Sequence, residues 1–167
     1  MILLLMRHGV AEDGPEAEDA ARALTNKGRR NARAVAIQLA RLEMTPTLYL
    51  SSPRIRAVQT AEEVCATHGS KNNQVECITE LDFGAAWPGL HGEILRRVPL
   101  RKREEAIILA ASHEPICGEF LGEALGLPHP AMPFKKGALA AIKWKNAEAE
   151  GPGELLLYLT PAMARRG

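Results

Sequence analysis

This chain of 167 residues is short of aromatics, which make up only 4% of it. That scarcity argues against the stacking platforms on which single-stranded nucleic acids are bound. Net charge is nearly absent as well, with 21 Lys+Arg against 20 Asp+Glu. A nucleic-acid binder would carry a strongly basic footprint. The three cysteines, Cys65, Cys77 and Cys117, form no C-x-x-C pair and are odd in number. They read as reduced residues of the core or of helices in a cytoplasmic protein. Long apolar runs are missing too. Met1–Met6 stops at Arg7, which is too short for a membrane span, and it has neither a basic leader nor a cleavage site. No Gly-rich phosphate loop and no metal-ligand spacing is present.

What remains is ordinary globular material, 46% hydrophobic and 25% charged, and long enough to bury a core without staples. No repeat or internal boundary interrupts it, so residues 1–167 are expected to form a single domain. Met1–Met6 fits a strand buried on both faces. Val10–Ala23 is acidic and rich in small residues, and reads as an exposed loop. Thr25 is a good N-cap for a helix whose apolar positions Ala32, Val35, Ala36, Leu39 and Leu42 recur at helical spacing, ending at Thr45-Pro46. Leu48–Leu50 is a short strand. Ser51-Ser52-Pro53 then opens a second helix with Ala57, Val58, Ala61, Val64 and Cys65 inward.

Val75–Ile78 is a third strand candidate. Glu80–Gly92, with its glycines and Pro88, reads mostly as loop, followed by a short polar helix up to Arg103. Ala106–Ala111 is another buried strand, and Glu114-Pro115 opens a helix with Ile116, Phe120, Leu121 and Leu125 inward. Gly126–Pro133 is a loop. Ala138–Trp144 and Glu154–Thr160 make a final hairpin, and Pro161–Gly167 a ragged tail. Strands alternating with helices predict an α/β layered fold, a mostly parallel central sheet flanked by helices.

Ligands of such sheets bind beyond the carboxyl ends of the strands. Arg7-His8-Gly9, Ser51–Arg56 and Ser112-His113-Glu114-Pro115 all fall there. If their strands are parallel neighbours, two histidines and at least one arginine converge. Guanidinium groups bind an oxyanion through paired, charge-assisted hydrogen bonds. A neutral imidazole beside that anion can attack phosphorus and form a phosphohistidine, and neighbouring positive charge keeps the imidazole unprotonated. A second histidine, if protonated, can donate to the phosphoryl oxygens as charge redistributes. No metal or other cofactor is required.

These segments also resemble those of a known family. Met6-Arg7-His8-Gly9 is similar to the R-H-G signature of the histidine phosphatase, or phosphoglycerate mutase-like, superfamily. Leu24–Gly28 resembles its L-[ST]-x-x-G helix start, Ser52–Ala61 its S-P-x-x-R-A-x-Q-T-A segment, and Ser112-His113 its second histidine. The four matches run in family order from Met1 to about Leu125. The resemblance implies a three-layer phosphoglycerate mutase-like fold, with His8 as nucleophile and Arg7, Arg56 and His113 binding the phosphoryl group. Arg54 falls at a variable family position and stays outside that set. Glu80, in Ile78–Gly84, resembles the place of the family's acid. Other members put an Asp after the second histidine, where this chain has Glu114. Glu80, Glu114 or neither could therefore serve as the acid, and helix complementation is the favoured role for Glu114.

Within the superfamily the short chain is most similar to the SixA-type phosphohistidine phosphatases. The expected substrate is then phosphohistidine on a protein, reached through a pocket with little lid. A small phosphate ester, such as a sugar phosphate or α-ribazole phosphate, and a non-catalytic phosphate-binding module are the alternatives. The chain is too short for the lid of a mutase. Single charged residues are ordinarily solvated. His68, His91 and His129 read as surface residues, Trp87 and Trp144 as packing, and the run Arg96, Arg97, Arg101, Lys102, Arg103 as a solvated helix face.

Overall fold

The computed structural model describes residues 1–69, 74–128, 132–146 and 148–166. Its six strands are β1 (Ile2–Arg7), β2 (Leu48–Ser51), β3 (Val75–Cys77), β4 (Ile107–Ser112), β5 (Leu139–Lys143) and β6 (Glu154–Leu159). They form one sheet in the order β3-β2-β4-β1-β5-β6. β1, β2, β3 and β4 pair in parallel, whereas β5 runs antiparallel to both β1 and β6. The helices are α1 (Asn26–Arg41), α2 (Ile55–Thr67), α3 (Trp87–Arg97), α4 (Ile116–Leu125) and α5 (Pro161–Ala164).

The unbroken apolar run of β1 follows from burial on both faces. Leu3 and Leu5 join one core with Leu50, Ile108, Leu90 and Phe120, beneath α3 and α4. Leu4 and Met6 face the other way, onto Val35, Leu39, Val64 and Ala164 from α1, α2 and α5. Successive side chains of a strand point to opposite faces, so each face needs its own helix layer. The three-layer α/β architecture is therefore as expected.

Several local expectations are corrected. α1 ends at Arg41 with Leu42 as its C-cap, before Thr45, and Glu43 turns away at a φ of 56°. α3 begins at Trp87, inside the stretch read as loop. Pro88 sits in the first turn of that helix, where proline needs no N–H donor, and Leu90 and Ile94 are buried. The tail begins with α5, capped by the Thr160 hydroxyl, which accepts from the Met163 N–H. Cys77 is exposed on the edge strand β3 rather than within the core. His68 is half-buried, 2.9 Å from the Ala36 carbonyl and 3.2 Å from the Tyr49 hydroxyl. His91 is half-buried beside Trp87, which also stacks on Trp144. His129, residues 70–73 and part of the loop before Pro133 lie outside the described residues.

The basic run is partly spent on structure. Arg97 pairs with Glu76 and Glu93, and Arg103 donates to the Leu95 and Val98 carbonyls at the end of α3. Val98 and Lys102 share a depression with Thr47, Leu48 and Ala106 at the amino ends of β2 and β4. That is the end of the sheet opposite Arg7 and Ser112.

Candidate active site

The strand order brings the three polar segments together. β4 lies between β2 and β1, and Arg7 is in register with Ser112 and Ser51 with Ala111. Backbone bonds carry the alignment past the strand ends. His8 N–H donates to the Ser112 carbonyl, Ser52 N–H to that of Ala111, and Gly137 N–H to that of His8.

The motif residues that carry no chemistry hold this corner shut. Gly9 and Gly28 lie where the β1 loop meets the start of α1. A Cβ on Gly28 would stand 2.2 Å from the Val10 carbonyl oxygen, and one on Gly9 would stand 3.1 Å from that of Gly28. Thr25 donates to the Val10 carbonyl and accepts from Gly28 N–H, capping α1. From α2, Gln59 accepts the Leu24 N–H at 2.7 Å, and Thr60 accepts the Gly9 N–H at 3.0 Å. The Q-T pair thus ties the second helix to both ends of the first loop.

His8 is buried, with Nδ1 2.7 Å from the Gly9 carbonyl oxygen. A carbonyl only accepts, so Nδ1 carries the proton and Nε2 keeps its lone pair. Arg56 Nε donates to that Nε2 at 3.2 Å. The His8 pKa is lowered to about 3 by burial first, opposed by the Gly9 carbonyl and reinforced by Arg56, Arg7 and His113. The result is a neutral imidazole with an unprotonated nitrogen aimed among arginines, as nucleophilic attack on phosphorus requires.

His113 is buried with its ring 6.4 Å from that of His8, centroid to centroid. Burial lowers its pKa to about 4, with Arg56 and Arg54 adding to the shift and Asp82 and Asp19 opposing it. The free protein therefore holds this second histidine neutral near pH 7. Both His113 nitrogens and Arg7 Nε are buried without a hydrogen-bond partner in the protein. Asp82 Oδ1 comes within 3.3 Å of His113 Nε2, off the line a hydrogen bond needs, so the contact is electrostatic only. Arg7 is anchored through its NH1, which donates to the Phe134 carbonyl. Unpartnered buried donors are costly, and an oxyanion in the depression would satisfy Arg7 Nε–H and the one N–H that a neutral His113 carries.

Together Arg7, His8, Arg56 and His113 line a depression of about 220 Å³, rimmed by Arg22, Phe83, Glu114 and Lys136. The four residues expected to handle the phosphoryl group are brought together. Glu80 is not among the lining residues. Its carboxylate accepts from the Thr79 hydroxyl at 3.3 Å and its stem lies against Gly89. Glu114 accepts the N–H groups of Gly118 and Phe134, which fits a role at the start of α4.

Two residues here, Asp82 and Asp19, escaped the sequence reading, and a third, Arg54, was left outside the phosphate set. Asp82 accepts from Arg54 Nε at 2.6 Å, and burial, which raises its pKa, is outweighed by Arg54, so it stays ionised. Arg54, set aside as variable, also donates to Asp19 and lies over the Phe83 ring at 4.2 Å. Asp19, from the 3-10 turn Glu16–Ala21 in the acidic loop, bonds Arg22, Arg54 and Arg56. Its carboxyl is held below the usual range, chiefly by the Arg56 hydrogen bond. Nothing about one carboxylate in an acidic loop marks it in advance.

The profile of the histidine phosphatase superfamily (branch 1) matches residues 3–124. The chain belongs to the histidine phosphatase superfamily. It is 31% identical over 96% of its length to an uncharacterized protein of Picosynechococcus sp., of which it covers 97%. Among solved structures, the superfamily fold of the protein histidine phosphatase SixA complexed with tungstate is similar over 97% of this chain and 98% of that one. The TM-score is 0.81 and the identity 26%. A mycobacterial glucosyl-3-phosphoglycerate phosphatase complexed with VO3 shares the fold over 95% of this chain and 99% of that one, at 19% identity and a TM-score of 0.71. This histidine phosphatase is an enzyme with a SixA-like, phosphoglycerate mutase-like architecture. Among its described residues, no helix is long and apolar enough to cross a membrane.

Proposed function

We propose that this histidine phosphatase removes phosphoryl groups from nitrogen, foremost from phosphohistidine on a protein surface. The observation that carries the reading is the size of the depression around His8. At about 220 Å³ it is smaller than the roughly 300–1,000 Å³ of small-molecule pockets. It takes a phosphoryl group with a small part of its leaving group, so the rest of a large substrate lies outside.

The carboxylates agree with this. Asp19 and Asp82 are held ionised by arginines, Glu114 is committed to backbone N–H groups, and Glu80 is out of the depression. None is prepared to hand a proton to a leaving alkoxide. A phosphorylated imidazole asks for less, because its far nitrogen can take a proton from solvent and the ring leaves neutral.

In the first step the His8 Nε2 lone pair forms a bond to phosphorus while the bond from phosphorus to the leaving nitrogen breaks. Before attack, Arg56 Nε–H points at that lone pair. Once the lone pair is in the new bond, the N–H is released to a phosphoryl oxygen. An interaction gained only on the way to the transition state raises the rate. Arg7 Nε and His113 supply the other donors. Water then attacks phosphorus, the bond to Nε2 breaks, orthophosphate leaves and the proton goes to solvent.

The test compares a phosphohistidine peptide, an aryl phosphate and an alkyl phosphate as substrates of the wild type and of His8→Ala. The peptide should exceed the alkyl ester by at least about 100-fold in kcat/KM, and His8→Ala should abolish turnover of all three. Equal turnover of peptide and alkyl ester would transfer the assignment to small phosphate esters.

A further inference from the structure

The acidic loop before α1 contributes a group that the phosphoryl chemistry does not obviously want. Asp19 is a carboxylate beside a phosphate site, where it repels a dianion. It nevertheless sits at the centre of the arginines. Its Oδ2 accepts from Arg56 NH2 at 2.9 Å and from Arg54 NH1 at 2.8 Å, its Oδ1 accepts from Arg22 NH1 at 3.0 Å, and its backbone carbonyl accepts from Arg56 NH1. The turn is itself pinned, since Arg22 Nε donates to the Glu12 carbonyl and Ala11 bridges to Leu24.

We propose that Asp19 is a positioning residue for phosphoryl transfer, which sets the rotation of the Arg56 guanidinium and so the N–H groups that face the transferring phosphoryl group. A guanidinium is planar and carries five N–H groups in a fixed fork. Arg56 spends one on His8 Nε2, one on the Asp19 carbonyl and one on the Asp19 carboxylate. Three anchors in one plane leave it no rotation, and two N–H groups remain for phosphoryl oxygens. Without the Asp19 carboxylate two anchors are left among these, the Asp19 backbone carbonyl and the 3.2 Å bond to His8, and the second vanishes when His8 attacks. Arg56 would then pivot about a single backbone contact at the moment its direction matters.

The carboxylate reaches further through Arg54, which joins Asp19 to Asp82, and Asp82 approaches His113. Because Asp19 repels a bound phosphate yet orders its ligands, its benefit falls on kcat and its cost on ground-state affinity. That split separates it from a residue that only stabilises the fold.

The inference rests on His8 as nucleophile and Arg56 as phosphoryl ligand, so His8→Ala is measured beside Asp19→Ala and Asp19→Asn. The readouts are kcat and KM on an aryl phosphate and on a phosphohistidine peptide, the inhibition constant of orthophosphate, and the melting temperature. Asp19→Ala should lower kcat about 10- to 100-fold, the scale of a misaligned catalytic group. Orthophosphate should bind as well or more tightly, and melting should move by only a few degrees. Asp19→Asn, which keeps an acceptor for Arg56, should retain more activity than Ala, and it decides the matter should the Ala variant not fold.

A kcat within twofold of wild type in both variants overturns the proposal. So does a loss of orthophosphate affinity that matches the loss of kcat, which would make Asp19 part of ordinary phosphate binding. Tighter orthophosphate with undiminished kcat also overturns it, and marks Asp19 as a competing anion. If His8→Ala keeps full turnover, the underlying reading has failed rather than this one.

Discussion

Glu63 and Asp19 are both carboxylates clasped by more than one arginine, and of these two clusters the one at Asp19 faces the depression around His8. Glu63, on α2, accepts from Arg29 NH1 at 2.8 Å and Arg33 Nε at 2.6 Å, both from α1. Asp19 accepts from Arg22, Arg54 and Arg56. The clusters are alike in their distances, although Asp19 has three arginines and Glu63 two. They differ in what surrounds them. The Glu63 pairs fasten two neighbouring helices. Around Asp19, Arg7 Nε and both nitrogens of His113 are buried without partners, and one arginine spends an N–H on a histidine lone pair. Charge alone therefore does not mark the site. Unspent buried hydrogen-bonding capacity does.

The comparison is broken most severely by removing one arginine from each cluster. Arg56→Ala should lower kcat/KM by about 10³-fold or more, at or above the cost of losing one oxyanion donor. Arg29→Ala should leave turnover within about twofold. Steady-state kinetics on an aryl phosphate checks both, and comparable losses would erase the distinction.

A pH series separates the clusters next. The folded-state pKa values of His8 and His113 are lowered to about 3 and about 4, against about 6.5 unfolded. Below 6.5 the unfolded chain binds protons that the folded chain refuses. Their contribution to stability is thus complete above pH 6.5 and is lost as pH falls toward those folded values. By pH 5 each histidine should cost about 2 kcal/mol of folding stability. The Glu63 carboxyl is raised by burial but lowered more by its two arginines, so its contribution holds above the ordinary carboxylate pKa and is lost as pH falls through that range toward its lower folded value. Urea unfolding at pH 7 and pH 5, with and without His8→Gln and His113→Gln, should show the early loss and its removal. Turnover of a phosphoramidate should meanwhile show no acid limb from His8 above pH 5.

A backbone change tests the site's scaffold without altering either cluster's charge. A Cβ at position 28 would meet the Val10 carbonyl oxygen at 2.2 Å, so the β1 loop must retreat from α1. Gly28→Ala should cost about 1–3 kcal/mol, as overpacking does, and should slow turnover because His8 rides on that loop. Thermal melting with parallel kinetics measures both. Unchanged kinetics would show that the loop and the site are independent.

The comparison also explains what could be read from the residues alone. Arg7, His8, Arg56 and His113 were legible because each lies at a strand end or a helix start, where ligands of such sheets bind, and because the family resemblance picks out these four; that their strands are neighbours needed the structure. The two glycines and the Gln59-Thr60 pair were legible as a pattern, and their packing roles needed coordinates. Asp19 was not legible, since a loop residue reaches its partners through the path of a 3-10 turn that no periodicity encodes. Arg54 and Asp82 were missed for the same reason, as each matters only through the other. Glu80 illustrates the converse. It occupies the expected place along the chain, yet the turn Thr79–Leu81 directs its carboxylate to Thr79, while Asp82 is the residue that meets His113. α3 was misread because Pro88 and the glycines suggested a loop, whereas Leu90 and Ile94 supply the burial that pays for the helix.

The smallest effect sharpens the comparison most. Glu63→Gln keeps the size of the side chain and one acceptor for Arg29 or Arg33 but removes the charge. Arg33 is mostly in water and Arg29 one-third exposed, so neither is stranded when its partner is neutralised. The Glu63 carboxylate itself is buried, but its partners reach water, so the loss stays at about 1 kcal/mol and the melting temperature should fall by only about 2–4 °C. Turnover should not change, because neither arginine has a second partner near the phosphoryl group. Asp19→Asn, the same chemical change in the other cluster, should do the reverse, with melting nearly unmoved and kcat reduced. The two variants measured side by side ask whether a carboxylate between arginines is there to hold helices or to aim a guanidinium. If Glu63→Gln slowed turnover as much as Asp19→Asn, the arginine clusters would act as one electrostatic field, and the separate aiming role of Asp19 would be lost.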